Sequence, residues 1–132
     1  MSKYVFPSDL NYVNHASQKI VDEISPQAID SGDIIDIKLC FEEAFINAVK
    51  HGNCFNRELK VNVEVVLYEN SVGIFICDEG DGFDFENCPD PTKEENLEKT
   101  NGRGVFLIKK FMDEAKYDNN TKCLFIRKYF KK

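Results

Sequence analysis

Basic side chains are outnumbered in this chain, with 17 Lys and Arg against 23 Asp and Glu and a formal net charge of −6. Nonspecific nucleic-acid binding needs clustered cations, so direct nucleic-acid contact is not expected, while a basic protein partner stays open. Long apolar runs are missing too. The start, MSKYVFPSDL, has no run of signal-peptide length, and no stretch approaches the roughly 18 apolar residues of a membrane span. The five cysteines (Cys40, Cys54, Cys77, Cys88, Cys123) are odd in number, widely spaced and form no CxxC. They read as reduced thiols of a cytoplasmic protein, with Cys40 and Cys77 as small core residues. The only histidines, His15 and His51, lie far apart in sequence, which leaves a metal-dependent hydrolase without a ligand set. The P-loop GxxxxGK[ST], a complete GxGxxG after a strand, and the HRD and DFG motifs are all absent.

What is present suits one domain over residues 1–132 with one core, at an ordinary 42% hydrophobic and 30% charged. Lys3–Pro7 suggests a short strand. Ser8 or Asp9 caps a helix to about Ile24, with Leu10, Val13, Ile20 and Val21 among its apolar residues. Ser31 or Asp33 caps a second helix, about Ile34–His51, with Ile37, Phe41, Ala44, Phe45 and Ala48 on its buried face and Gly52-Asn53 ending it. Leu59–Tyr68 and Val72–Asp78 alternate as strands about a turn at Glu69–Ser71. Val105–Met112 is a short apolar helix, and Glu114–Tyr117 and Cys123–Tyr129 are two further strands. The expected class is α+β: a two-layer sandwich in which a mixed but largely antiparallel sheet is covered on one face by helices.

Three segments carry chemistry. In FEEAFINAVKHGN (41–53), Glu43, Asn47 and His51 follow at helical spacing on one stripe beside the apolar face. A carboxamide oxygen can bind Mg²⁺, and a carboxylate one turn away can take a proton from an attacking hydroxyl. The same pattern also fits a solvated polar stripe. In DEGDGFD (78–84), Asp78 ends a strand and Gly80 and Gly82 follow. Glycines there allow positive φ or close approach of a ligand, and the Asp can accept from an exocyclic amine. A plain glycine-rich turn reads equally from these residues. In NGRGVFLIKKFMDE (101–114), Gly102-Arg103-Gly104 leads into a helix whose N-terminal N–H groups suit phosphate, with Arg103 and Lys99 adding charge. A flexible loop before a helix is the bland reading. The stretch from about Phe83 to Gly104 is the least structured in composition, and a loop that long is usually functional.

Together and in order, the three segments resemble the N, G1 and G2 boxes of the histidine-kinase-like (Bergerat-fold) ATPase superfamily. GRGVFLIKKFMDE and the E-x-x-x-N spacing within EEAFINAVKHGN look most like the anti-sigma-factor serine kinases, which are short stand-alone domains. The resemblance covers nearly the whole chain.

It implies ATP and Mg²⁺ as cofactors. Glu43 would be the general base and Asn47 the Mg²⁺ ligand. Asp78 would bind the adenine amine, with Gly80 and Gly82 shaping its pocket. A lid, about 85–101, would close over the triphosphate with Lys99 as its cation, and Gly102, Arg103 and Gly104 would meet phosphate through backbone N–H groups. Glu42 would point elsewhere; His51 would border the phosphates or simply pack. The implied activity is a serine/threonine protein kinase that phosphorylates a STAS-type anti-anti-sigma protein and sequesters a sigma factor, commonly as a homodimer. The alternatives are a wider regulatory ATPase whose target need not be a sigma factor, and a non-catalytic ATP-gated binding switch, which would have no need of Glu43.

Overall fold

The computed structural model describes residues 1–27, 30–80 and 100–130, and the side chains of all of these except 100–103. Strand β1 (Ser2–Pro7) is followed by a short 3₁₀ turn, Leu10–Tyr12, and helix α1 (Val13–Ile24). Helix α2 (Ser31–Asn47) runs into a widened π turn, Ala48–Gly52. Strands β2 (Lys60–Leu67) and β3 (Ser71–Cys77) form a hairpin, and helix α3 (Thr100–Phe111), β4 (Glu114–Asp118) and β5 (Cys123–Tyr129) complete the order.

The strands form one sheet in the order β1-β2-β3-β5-β4, and every pairing is antiparallel. Alternation fixes which side each residue faces. Val61, Val63 and Val65 of β2, Val72, Ile74 and Ile76 of β3, and Leu124 and Ile126 of β5 all point into the core. Helix α2 supplies the facing layer with Ile37, Phe41, Ala44, Phe45 and Ala48, all buried as their spacing predicts. Truncating Phe41 or Phe45, each with no exposed surface, would cost about 3–5 kcal/mol.

Local chemistry sets the helix starts. Asp9 Oδ1 accepts from Asn11 N–H at 2.9 Å, but the first turn is 3₁₀ and leaves Leu10 exposed rather than in the core. Asp30, not Ser31 or Asp33, caps α2: its Oδ1 accepts from Gly32 N–H at 2.7 Å, and Asp33 is buried in the first turn. Helix α3 is held at its far end by Lys128 of β5, whose Nζ donates to the Phe111 carbonyl at 2.7 Å and lies 3.7 Å from Asp36 of α2. A cation there also complements the negative end of the helix dipole.

The cysteines correct the expectation of reduced thiols. Cys77 and Cys123 face each other in the β3–β5 register and are joined as a disulfide across 46 residues of sequence. Cys77 is therefore not a core residue; it lies on the sheet face away from the helices, with Phe75 and Phe125. Cys40 is buried as expected, and Cys54 is an exposed thiol. Among the described residues no helix is long and apolar enough to cross a membrane.

Candidate functional site

The polar stripe of α2 is where the second and third chemical segments arrive. Glu43 is half-buried, and Asn47, one turn on, is only 4% exposed. Helix α3 crosses α2 at Gly104. A Cβ placed on Gly104 would lie 2.7 Å from Glu43 Oε2 and 3.6 Å from Asn47 Nδ2. The absent side chain leaves the carboxylate and the carboxamide room beside α3.

Just beyond Asn47, the π turn brings Gly52 against Asp78. A Cβ on Gly52 would lie 2.4 Å from Asp78 Cγ, and one on Gly80 would lie 2.0 Å from the Gly52 carbonyl oxygen. Ala48, Val49 and Gly52 of the widened turn and Asn53 just after it are all buried. Asn53 N–H donates to Ala48 O and Phe55 N–H to Val49 O, both at 2.8 Å. Such single wide turns are frequent at functional sites. Gly52 thus serves clearance, whereas the left-handed residues that end the helix are Cys54 and Phe55. Gly80 likewise has no left-handed φ; close packing on Gly52, not a special turn, excludes a side chain there.

Asp78 is 5% exposed, and its carboxylate is held at both oxygens. Gly80 N–H donates to Oδ1 at 3.2 Å and the Tyr117 hydroxyl donates to Oδ2 at 2.8 Å, while the Asp78 N–H donates to the Lys122 carbonyl at 3.0 Å. A buried carboxylate needs such donors to offset lost hydration. Asn53, 2% exposed, ties the neighbouring turn down. Its Nδ2 donates to Ser8 Oγ and the Lys60 carbonyl, both at 3.0 Å, and its Oδ1 accepts from Glu79 N–H at 2.8 Å. Glu79 then accepts from Lys60 N–H at 2.6 Å. Gly52, Asn53 and Tyr117 were invisible as site residues in the sequence, because each acts through a partner distant in the chain.

Asn47 Nδ2 is buried without a hydrogen-bond partner among the described residues. Leaving such a group unmet costs about 1–3 kcal/mol. A half-turn of the amide would present its oxygen instead. That single oxygen fits a Mg²⁺ ion held mainly by phosphates and water, the usual arrangement for this cation. No cluster of three or more His, Cys, Asp or Glu suited to a metal occurs among the described residues, so a cage built wholly from protein is not what these residues offer.

The sequence profile of the histidine kinase-like ATPase domain matches residues 6–128. The chain belongs to this family. The ATPase domain is 31% identical over 134 residues to the serine-protein kinase RsbW of Staphylococcus aureus (strain NCTC 8325 / PS 47), covering 96% of this chain and 84% of that protein. It is 32% identical over 119 residues to the serine-protein kinase RsbW of Oceanobacillus iheyensis, covering 86% of this chain and 75% of that one. These relatives place the ATPase domain in the serine-kinase branch that its motifs resemble.

Within the ATPase domain, Glu43, Asn47 and Gly104 come together, and Asp78 and Gly80 come together on Gly52. Helix α3 begins at Thr100 rather than Val105, so Gly102 and Arg103 lie in its first turn, where backbone N–H groups have no partner within the helix. Gly82, Lys99 and the lid up to residue 99 lie outside the described residues. Glu42 points away as expected: its Oε2 accepts from Ser17 Oγ at 2.7 Å and pairs with Lys38 at 3.0 Å. His51 is half-buried in the widened turn next to Gly52.

Proposed function

We propose that this ATPase domain is an ATP-dependent serine/threonine protein kinase and anti-sigma regulator, which phosphorylates a serine of a STAS-type anti-anti-sigma protein and sequesters a sigma factor. The observation that carries the reading is the order of groups along α2 and the π turn that follows it. Glu43 and Asn47 face Gly104 at the entrance of α3, and Gly52 faces Asp78 and Gly80. A nucleotide lying along that line would set its base against Asp78 and its phosphates between Asn47 and the N-terminal turn of α3, which includes Gly102 and Arg103. The lid, about 85–101 with Lys99 as its cation, would close over the triphosphate, and Gly82 would help to shape the adenine pocket.

Bound Mg²⁺ would offset phosphate charge, with Asn47 as its protein ligand. Glu43 would take the proton from the substrate serine as its oxygen bonds to the γ-phosphorus and the bond to the β-phosphate oxygen breaks, releasing ADP. Transfer of this kind rests mostly on positioning and electrostatics. The glycine at position 104 supports the assignment, since it leaves the Glu43 carboxylate space for a hydroxyl.

The sheet face away from the helices exposes Val5 (64%), Tyr68 (39%) and Tyr129 (42%). Exposed apolar side chains on that face suit contact with a second copy of the chain, which would make a homodimer. Incubation with γ-labelled ATP, Mg²⁺ and a STAS-type protein tests the kinase. Labelled phosphoserine is expected with the wild type and none with Glu43→Gln, which should still bind ATP. Transfer by Glu43→Gln at the wild-type rate would remove the assigned base. ATP binding by the wild type without transfer would leave the ATP-gated switch.

A further inference from the structure

We infer that Tyr117 is the positioning residue of the base pocket: its hydroxyl orients the Asp78 carboxylate to accept from the 6-amino group of adenine. The inference deepens the site proposed above and rests on Asp78 receiving the base.

Tyr117 is the one buried residue of edge strand β4, at 7% exposure. It pairs with Leu124, which in turn pairs with Ile76 of β3, so its side chain lies on the helix-side face two strands from Asp78. Only a long side chain with a terminal donor spans that gap, and the phenol meets Asp78 Oδ2 at 2.8 Å in a buried environment. The opposite oxygen takes Gly80 N–H. Two donors on two oxygens stop the carboxylate from rotating about its last bond. A carboxylate offers about four lone-pair sites over its two oxygens, so two donors do not by themselves exhaust what it can accept.

A donor fixed on each oxygen also settles what the pocket selects. The carboxylate presents only acceptors, which suits an exocyclic amine and opposes a carbonyl at the same position. Hydrogen bonds to charged groups in buried sites are the stronger kind, and a site built around one rejects ligands lacking the matching group. Without the Tyr117 hydroxyl, Asp78 would still be present but free to turn, so the amine-dependent part of the affinity would fall while phosphate contacts stayed.

The test compares ATP with purine riboside triphosphate, which lacks the 6-amino group, in wild type and Tyr117→Phe. The wild type is expected to prefer ATP. In Tyr117→Phe, ATP affinity should drop about tenfold and that of the analogue less than about twofold, so the preference collapses; in an Asp78→Asn background, Tyr117→Phe should add nothing. An unchanged preference, or an equal loss for both nucleotides, would overturn the positioning role while leaving Asp78 in place. No preference in the wild type would instead sink the base-pocket reading itself, and this inference with it. Should Tyr117→Phe fail to fold, the wild-type Tyr117 hydroxyl proton serves by NMR. It should exchange slowly and shift with ATP but not with the analogue, and the absence of a differential shift would count against the role.

Discussion

Gly52 and Asp78 are packed so closely that any side chain at position 52 would overlap the carboxylate, with Cγ only 2.4 Å from a Cβ. A glycine that reads in sequence as a helix stop is therefore part of the floor on which the base pocket is built.

Gly52→Ala should separate the two. Asp78 Cγ, Cβ and Oδ2 all lie within 2.6 Å of the added carbon, so relief requires the strand end or the π turn to move. We expect a stability loss of about 1–3 kcal/mol and ATP affinity lowered at least tenfold, read by thermal unfolding and titration calorimetry. Gly32→Ala is the control: its Cβ meets only Asp30 Oδ1, at 3.0 Å at the N-cap of α2, and nucleotide affinity should not change.

Gly104→Ala should act oppositely on stability and activity. The nearest atom to its Cβ is the end of a flexible side chain, Glu43 Oε2 at 2.7 Å, which can swing aside. Replacing a helical glycine by alanine gains up to about 1 kcal/mol, so the melting temperature should hold or rise. Displacing the base by about 1 Å can cost on the order of 100-fold in rate. Phosphotransfer should fall accordingly with ATP affinity little altered. Full activity in this variant would separate Glu43 from the chemistry.

The Cys77–Cys123 disulfide closes a loop of 46 residues in sequence. Restricting the unfolded chain over that span is worth up to about 4 kcal/mol in the chain-entropy view. Non-reducing peptide mapping should recover the linked pair. Cys77→Ser/Cys123→Ser should unfold at lower denaturant than the oxidised wild type and match the reduced one. A midpoint insensitive to reductant would show that the link does not form in solution.

Cys40 should be unreactive while Cys54 is alkylated. Burial, then the nearby Asp36 carboxylate, push the Cys40 thiol from 9.0 up to about 12, against the smaller opposing pull of Lys128. The native state keeps that proton when the unfolded chain has released it. Its contribution to stability is thus complete below about pH 9 and is lost as pH rises from there toward about 12. Urea midpoints from pH 8 to 10.5 should decline less steeply for Cys40→Ala than for the wild type, and labelling at pH 8 should find Cys54 first.

Much of this was legible in the chain. Alternation in β2, β3 and β5 and the helical period of Ile37, Phe41, Ala44, Phe45 and Ala48 report local geometry directly, and the structure buries those residues. The chemical segments were legible for the same reason: Glu43 and Asn47 are neighbours by helical pitch, and Asp78 and Gly80 by adjacency. Helix starts were less so, because capping depends on a single side-chain rotamer; Asp30 caps where Ser31 and Asp33 were equally eligible. The disulfide was illegible, since its two cysteines become opposite only through the β3–β5 register.

Residue types and spacing therefore determined by themselves the α+β class, the apolar faces and the family to which the chain belongs, because each is written in short-range pattern. Only the tertiary structure decided that Gly104 makes room for Glu43, that Gly52 seats Asp78, and that Tyr117 and Asn53 hold that carboxylate's surroundings in place. Those contacts join residues that are far apart along the chain. No local pattern encodes them, and they exist only once the sheet and helices have closed on one another.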